Sequence, residues 1–175
     1  MHGRLITDNV IVAFETMHHI SQKKGGKIGE MTFKLEMSKA YDRVEWTCLD
    51  KIMEKLGFVE YWRRLIMRCV TTVSYAININ RRSKGHIIPT RCIRQGDPLS
   101  PYLFLLCVEG LSTLIKSSVD SGFLEGIAVC RGGPKLSHLF FANDSLIFFK
   151  ATLANCKSLQ RILEVYECRH SILHP

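Results

Sequence analysis

The sequence predicts an α+β fold in one mixed domain. Three observations point there. Some stretches repeat apolar residues at helical spacing, others alternate apolar with polar residues, and Gly, Pro and Asn-Asp punctuate the boundaries between them.

In chain order, Thr7, Asp8 and Asn9 offer capping side chains ahead of a helix predicted over residues 10–20. A linker-like stretch, SQKKGGKIGE, occupies residues 21–30. Residues 31–37 alternate loosely around Phe33 and Leu35 and predict a strand. Residues 46–56 are helical in pattern and stop at Gly57. A second helix is predicted over residues 59–72, where Trp62, Leu65, Ile66 and Cys69 share one face. Residues 73–80 read as a strand, Arg81-Arg82-Ser83-Lys84-Gly85 as a basic turn, and residues 86–90 as the returning strand. Gln95-Gly96-Asp97-Pro98 predicts a loop, and Pro101 suits the first turn of a helix reaching about Ser118. Residues 139–141 and 146–149 are expected to flank a tight turn at Ala142-Asn143-Asp144-Ser145, and residues 153–168 to close the chain as a helix.

A chain of 175 residues suits one domain with a real core. Its formal net charge of +8 favours a polyanionic partner, nucleic acid or an acidic membrane surface, although a soluble basic domain carries such a charge too. The seven cysteines are scattered, odd in number and without a Cys-x-x-Cys pair, which disfavours a zinc site or a closed disulfide framework and predicts a reducing, intracellular compartment. The start shows no signal-peptide pattern, and no unbroken apolar run nears the roughly 20 residues that span a bilayer; residues 102–108 form the longest.

Three segments carry candidate chemistry. FKLEMSKAYDRVEW (33–46) puts an acid, Glu36, at the end of an apolar strand before a turn and a helix, a common way to hold a metal ion. RCIRQGDPLSPY (91–102) is a glycine loop entering a helix N-terminus, suited to phosphate or a base pair, with Arg91 and Arg94 beside it. LFFANDSLIF (139–148) sets polar residues at a hairpin tip between apolar strands. Each alone is also what ordinary caps and turns look like.

Together and in this order, the three segments resemble motifs A, B and C in the palm of LINE-type (non-LTR) retrotransposon reverse transcriptases, of the kind abundant in plant genomes. Gly3-Arg4-Leu5-Ile6-Thr7-Asp8-Asn9 resembles the preceding fingers segment. The resemblance runs from about Gly3 to about Tyr166 and implies a reverse transcriptase palm with partial fingers, an antiparallel sheet packed on helices. Residues 1–30 would be a fingers remnant, 31–150 the palm, and 151–175 a divergent C-terminal helix and tail, with the thumb absent. It implies RNA-directed DNA synthesis by phosphoryl transfer on two Mg²⁺ ions, with an RNA template, a DNA primer and a dNTP as partners. No protein partner and no membrane are implied, and the location would be intracellular, nuclear or cytoplasmic. Glu36, Asn143 and Asp144 match the catalytic acids, with Glu36 and Asp144 as metal ligands. Tyr41 matches the aromatic residue that excludes a ribose 2′-hydroxyl, Gln95 and Gly96 the nucleotide pocket, and Arg4 a phosphate contact.

Two of the three acids depart from the family, which has Asp where this chain has Glu36 and Asn143. Glu36 adds a methylene at a site where Mg²⁺ demands near-ideal octahedral geometry. Asn143 removes a charge. The sequence thus leads to an impaired polymerase, against two alternatives: a non-catalytic nucleic-acid-binding remnant, or a fragment without a stable fold.

Overall fold

Strand pairing organises the first of two units into which the chain divides, Met1–Ser38 with Leu111–Tyr166; the second comprises Lys39–Gly110 and Glu167–Pro175. The structure, a computed structural model, describes residues 6–23, 25–37, 40–130, 132–141 and 144–170.

In the first unit, β1 (Glu30–Glu36), β6 (His138–Phe140) and β7 (Asp144–Lys150) form an antiparallel sheet in the order β1-β7-β6. β7 has a partner on each side, so its ladder groups are satisfied and its side chains meet packed surface; Ile147, Phe148 and Phe149 are all buried. Phe148 packs with Ala13, Ile127 and Leu139, and Val12, Ile20 and Leu136 lie against that cluster. Burying such side chains contributes roughly 1.5–3 kcal/mol each. Of the predicted turn at residues 142–145, Asp144 and Ser145 are strand residues, drawn into the ladder by pairing with β1 and β6, and residues 142 and 143 lie outside the described residues. Ser145 is wholly buried and its hydroxyl has no hydrogen-bond partner.

Helix α1 (Ile6–Gln22) starts earlier than its periodicity indicates. Thr7, Asp8 and Asn9 therefore lie inside its first turns and not ahead of them. Asn9 instead donates its amide to the Phe140 carbonyl at 3.2 Å, tying α1 to β6. At its other end, Lys23 pairs with the buried Glu30 carboxylate, and His19 Nε2 lies 3.5 Å from that carboxylate. A ribbon of β4 (Ile127–Ala128) and β5 (Lys135–Leu136), too short for an alternation signal, completes the unit's strands. Gly126 is required beside it, because a Cβ there would fall 2.7 Å from the Leu136 carbonyl oxygen. Helix α5 (Leu153–His170) is joined to the sheet end by Asn155. The Asn155 side chain accepts from the Glu125 N–H (3.2 Å) and donates to the Lys150 carbonyl (2.9 Å), and its N–H is capped by the Thr152 hydroxyl.

In the second unit, α2 (Trp46–Lys55) and α3 (Glu60–Thr71) are clamped by Arg63, which meets both Asp50 oxygens at 2.9 and 3.0 Å and Glu54 at 3.1 Å. β2 (Tyr75–Ile79) and β3 (Arg82–Ile87) form a hairpin, and its turn is Asn80-Arg81, not the five-residue basic run. Both turn residues have positive φ, +50° and +63°, the geometry of a two-residue type I′ loop that suits the strands' right-handed twist. Arg82, Ser83 and Lys84 are therefore strand residues.

Helix α4 (Ser100–Asp120) contributes its first eleven residues to the second unit and the remainder to the first. By length and mean hydropathy it reaches the range of a membrane span, which unbroken apolar runs do not register because polar residues interrupt it. Its buried residues Leu103, Phe104, Cys107, Leu111 and Ile115 recur at helical spacing, the stripe of a helix packed into protein. Burial pushes the Cys107 thiol up to about 12, an inert core cysteine, and the six cysteines among the described residues are unbridged.

His138 is the first unit's acid-sensitive point. Its ring nitrogens meet Ser112 Oγ (3.0 Å) and Ser137 Oγ (2.9 Å), and its ring packs on Phe140. Burial, then the charge of Lys116, pushes the imidazole down to about 4 from 6.5. Below pH 6.5 the unfolded chain takes up a proton that the folded chain refuses, so stability falls with pH until the folded pKa is reached. We expect this residue to cost about 2 kcal/mol at pH 5 relative to pH 7.5. The check is urea unfolding at both pH values beside His138→Gln, whose pH slope should be shallower by that amount.

Candidate active site

Antiparallel pairing places Glu36, the last residue of β1, directly opposite Asp144, the first residue of β7. Side chains directly opposed on such a pair share a face with Cβ atoms about 4.5–5.5 Å apart. Glu36 and Asp144 are thus brought together by the ladder, although 108 positions separate them in the sequence. Both are open to solvent, with side chains 70% and 42% exposed. The Phe141 N–H donates to the Asp144 carbonyl (2.8 Å) and closes the hairpin that presents Asp144.

A third side chain belongs to this face and was missed in the sequence. Lys34, two residues before Glu36 on β1, reaches Asp144 Oδ2 at 3.2 Å and Glu36 Oε2 at 3.9 Å. The period-two alternation that defines the strand is enough to find it, because i and i+2 project from the same face. As hard oxygen donors, the two carboxylates fit a divalent cation such as Mg²⁺, and Lys34 lies between them as a competing cation. No cluster of three or more His, Cys, Asp or Glu side chains occurs among the described residues. The predicted site residues Asn143 and Arg4 lie outside those residues.

The second unit gathers the other predicted residues. A 3₁₀ turn, Ala40–Arg43, carries Tyr41, whose ring packs on Phe104 with centroids 5.3 Å apart. Three hydrogen bonds fasten this turn and the start of α2 to the segment before the glycine loop: Ile93 N–H to the Tyr41 carbonyl (2.9 Å), Cys92 N–H to the Val44 carbonyl (3.0 Å), and Trp46 Nε1–H to the Cys92 carbonyl (2.6 Å). Cys92 is held at φ +90°, a costly value for a side-chain-bearing residue, and this trio of bonds spans it. Gln95 Nε2 donates weakly to Asp42 Oδ1 at 3.5 Å. Gly96 has φ +83° and open space around its Cα. Asp97 then accepts the Leu99 N–H at 2.8 Å, and the chain enters α4. Behind the loop, a cavity of about 20 Å³, room for roughly one water, is lined by residues including Val70, Tyr75, Arg94 and Ser100. Burial, and Cys92 beside it, push the Tyr75 phenol up.

The family that these motifs indicate agrees with comparison to known proteins. Residues 3–170 match the model of the family described as reverse transcriptase (RNA-dependent DNA polymerase). The chain belongs to that family. It is a reverse transcriptase domain of the non-LTR retroelement kind, and two of its relatives follow. It is 26% identical over 141 residues to a Pol polyprotein of the type-1 retrotransposable element R2 from Popillia japonica, covering 81% of this chain and 22% of that protein. It is 49% identical over 67 residues to an uncharacterized mitochondrial protein of Arabidopsis thaliana, covering 38% of this chain and 55% of that one. The chain thus spans little more than half, or far less, of these relatives. Among solved structures, apo telomerase from Candida tropicalis, truncated from its C-terminal domain, shares the fold. The TM-score is 0.61 at 10% identity, over 95% of this chain and 32% of that one.

Because space at Gly96 is open and its φ is left-handed, Gly96→Ala is expected to cost about 1 kcal/mol through backbone strain alone. Thermal unfolding should show a drop of about 2–4 °C. No change would mean that the loop takes up another conformation without penalty.

Proposed function

We propose that this reverse transcriptase domain is built for RNA-directed nucleotidyl transfer and performs it poorly. The observation that carries this reading is the register that puts Glu36 opposite Asp144. Glu36 and Asp144, with Asn143 beside them in sequence, stand where the family places its catalytic acids, and they would hold the divalent cation, Mg²⁺ in this family. When bound, such an ion activates the primer hydroxyl and offsets charge on the leaving pyrophosphate. Tyr41 would close the pocket against a ribose 2′-hydroxyl, its ring braced by Phe104. Gln95 and Gly96 would line the space for the incoming dNTP and the template base, and Arg4 would meet phosphate. RNA template and DNA primer are the macromolecular partners in this reading. Residues 1–30 correspond to fingers, 31–150 to palm, and 151–175 to the segment following it.

The weakness follows from chemistry. Glu36 reaches one methylene farther than the family's Asp, and displacement of a catalytic group on the order of 1 Å costs roughly 100-fold. Asn143 offers a neutral oxygen where an anion holds the ion better. Primer extension on an RNA template tests this. The unaltered chain should extend slowly or not at all with Mg²⁺, and Glu36→Asp with Asn143→Asp should restore extension. Mg²⁺-supported extension by the unaltered chain at roughly 1 s⁻¹ or faster, an ordinary enzyme rate, would overturn the proposal of impairment.

One observation favours the non-catalytic alternative, a domain that binds nucleic acid without turning it over. Lys34 already offsets one of the two carboxylate charges, so Asp144 has a counter-ion without metal. Lys34→Ala should therefore tighten Mn²⁺ binding by about 3- to 5-fold, the scale of an exposed ion pair. Calorimetric titration reads this directly, and an unchanged affinity would remove Lys34 from the site.

A further inference from the structure

The positive charge of this chain sits in one stretch. Residues 61–96 contain eight Lys or Arg and no Asp or Glu, while the other 139 residues carry sixteen of each sign. The whole formal excess of +8 thus belongs to this stretch. Part of it is internally matched: Arg63 pairs with Asp50 and Glu54, Arg64 with Glu60, and Arg91 with Glu45. The β2–β3 hairpin is different. Arg81, Arg82 and Lys84 are exposed and form no ion pair among the described residues.

The hairpin's build is unusual for a structural element. Every residue of β3 is exposed, and Ile77 and Ile79 on β2 are 55% and 49% exposed. Register pairs Ile77 with Lys84 and Ile79 with Arg82, so bases and aliphatic side chains share one face. Isolated two-stranded hairpins are marginal in water, and this one spends no side chain of β3 on a core. Its turn holds Arg81 at φ +63°, where glycine would be less strained. A strained arginine beside a second arginine at the tip of an exposed ribbon is a feature that local stability does not explain.

We propose that the β2–β3 hairpin is a phosphate-backbone contact for an RNA–DNA hybrid, made by Arg81, Arg82 and Lys84, with Ile77 and Ile79 lying against the sugars. This rests on the reading of the chain as a nucleic-acid-binding reverse transcriptase domain and assigns part of that binding to a named surface. Phosphate contacts position a protein on a duplex without reading its sequence. Their signature is salt dependence, since each neutralised phosphate adds about 0.9 to the slope of log K against log salt.

The test uses the full chain and a fluorescent RNA–DNA hybrid in EDTA, with binding followed by anisotropy over a range of salt. Combined substitution of Arg81, Arg82 and Lys84 by Gln should lower the slope by about 2 to 3 and weaken binding at least about tenfold at low salt. Arg81→Gly is the second variant, because Asn-Gly is the preferred pair for this turn and the hairpin gains stability as it loses one charge. Its slope should fall by about 1. If the unaltered chain binds and both variants keep its slope, the hairpin proposal is overturned while nucleic-acid binding stands. If the unaltered chain does not bind the hybrid, both readings fall.

Discussion

The antiparallel register between β1 and β7 is the constraint on which the candidate catalytic face depends. Register in a sheet is discrete: a slip by one residue moves every side chain to the other face. Here it is fixed by burial of Leu35 on β1 and of Ser145, Ile147 and Phe149 on β7, together with the pairing of β7 on its other side with β6. Lys34, Glu36 and Asp144 project from the opposite face, which is packed at Phe148 and open to solvent at the strand end where these three residues lie. The same core that stabilises the first unit therefore assembles two acids and a base on its surface.

That assembly carries part of its own counter-charge. A carboxylate pair at a strand end repels itself, and repulsion of this kind is ordinarily relieved by a cation. Lys34 supplies one from within the same strand, 3.2 Å from Asp144. Both acids thus approach one ammonium group, which matches one of their two charges.

The second unit solves a different problem, the placement of a loop that has little secondary structure of its own. Gln95 and Gly96 are held by neighbours on either side. Upstream, Cys92 and Ile93 are hydrogen-bonded to the Tyr41–Trp46 segment; downstream, Asp97 caps the entry to α4. The Tyr41–Trp46 and Cys92–Ile93 segments are therefore joined by hydrogen bonds on both sides of the strained Cys92 backbone.

Much of this was legible in the sequence. The helices at residues 46–56, 59–72 and 153–168 follow from periodicity and Gly57, and the strand at residues 31–37 from alternation, because those signals report burial of one face. The three motifs, read in order, were sufficient to indicate the reverse transcriptase family. The failures share one cause. Thr7, Asp8 and Asn9 read as caps because Asn9 has a capping side chain, yet a carbonyl on β6 takes its amide. The hairpin turn was misplaced because basic residues look like turn residues, whereas pairing of Ile79 with Arg82 leaves only Asn80 and Arg81 to reverse the chain. Lys34 went unnoticed because its role exists only once Asp144 is beside it.

By itself, then, the sequence determined most of the elements, the family and the candidate chemistry, since each is written in local pattern and residue type. The tertiary structure alone decided which acid faces which and which cation lies between them. Those facts are set by long-range strand register, which comes from the packing of side chains distant in the chain and leaves no mark on any single segment.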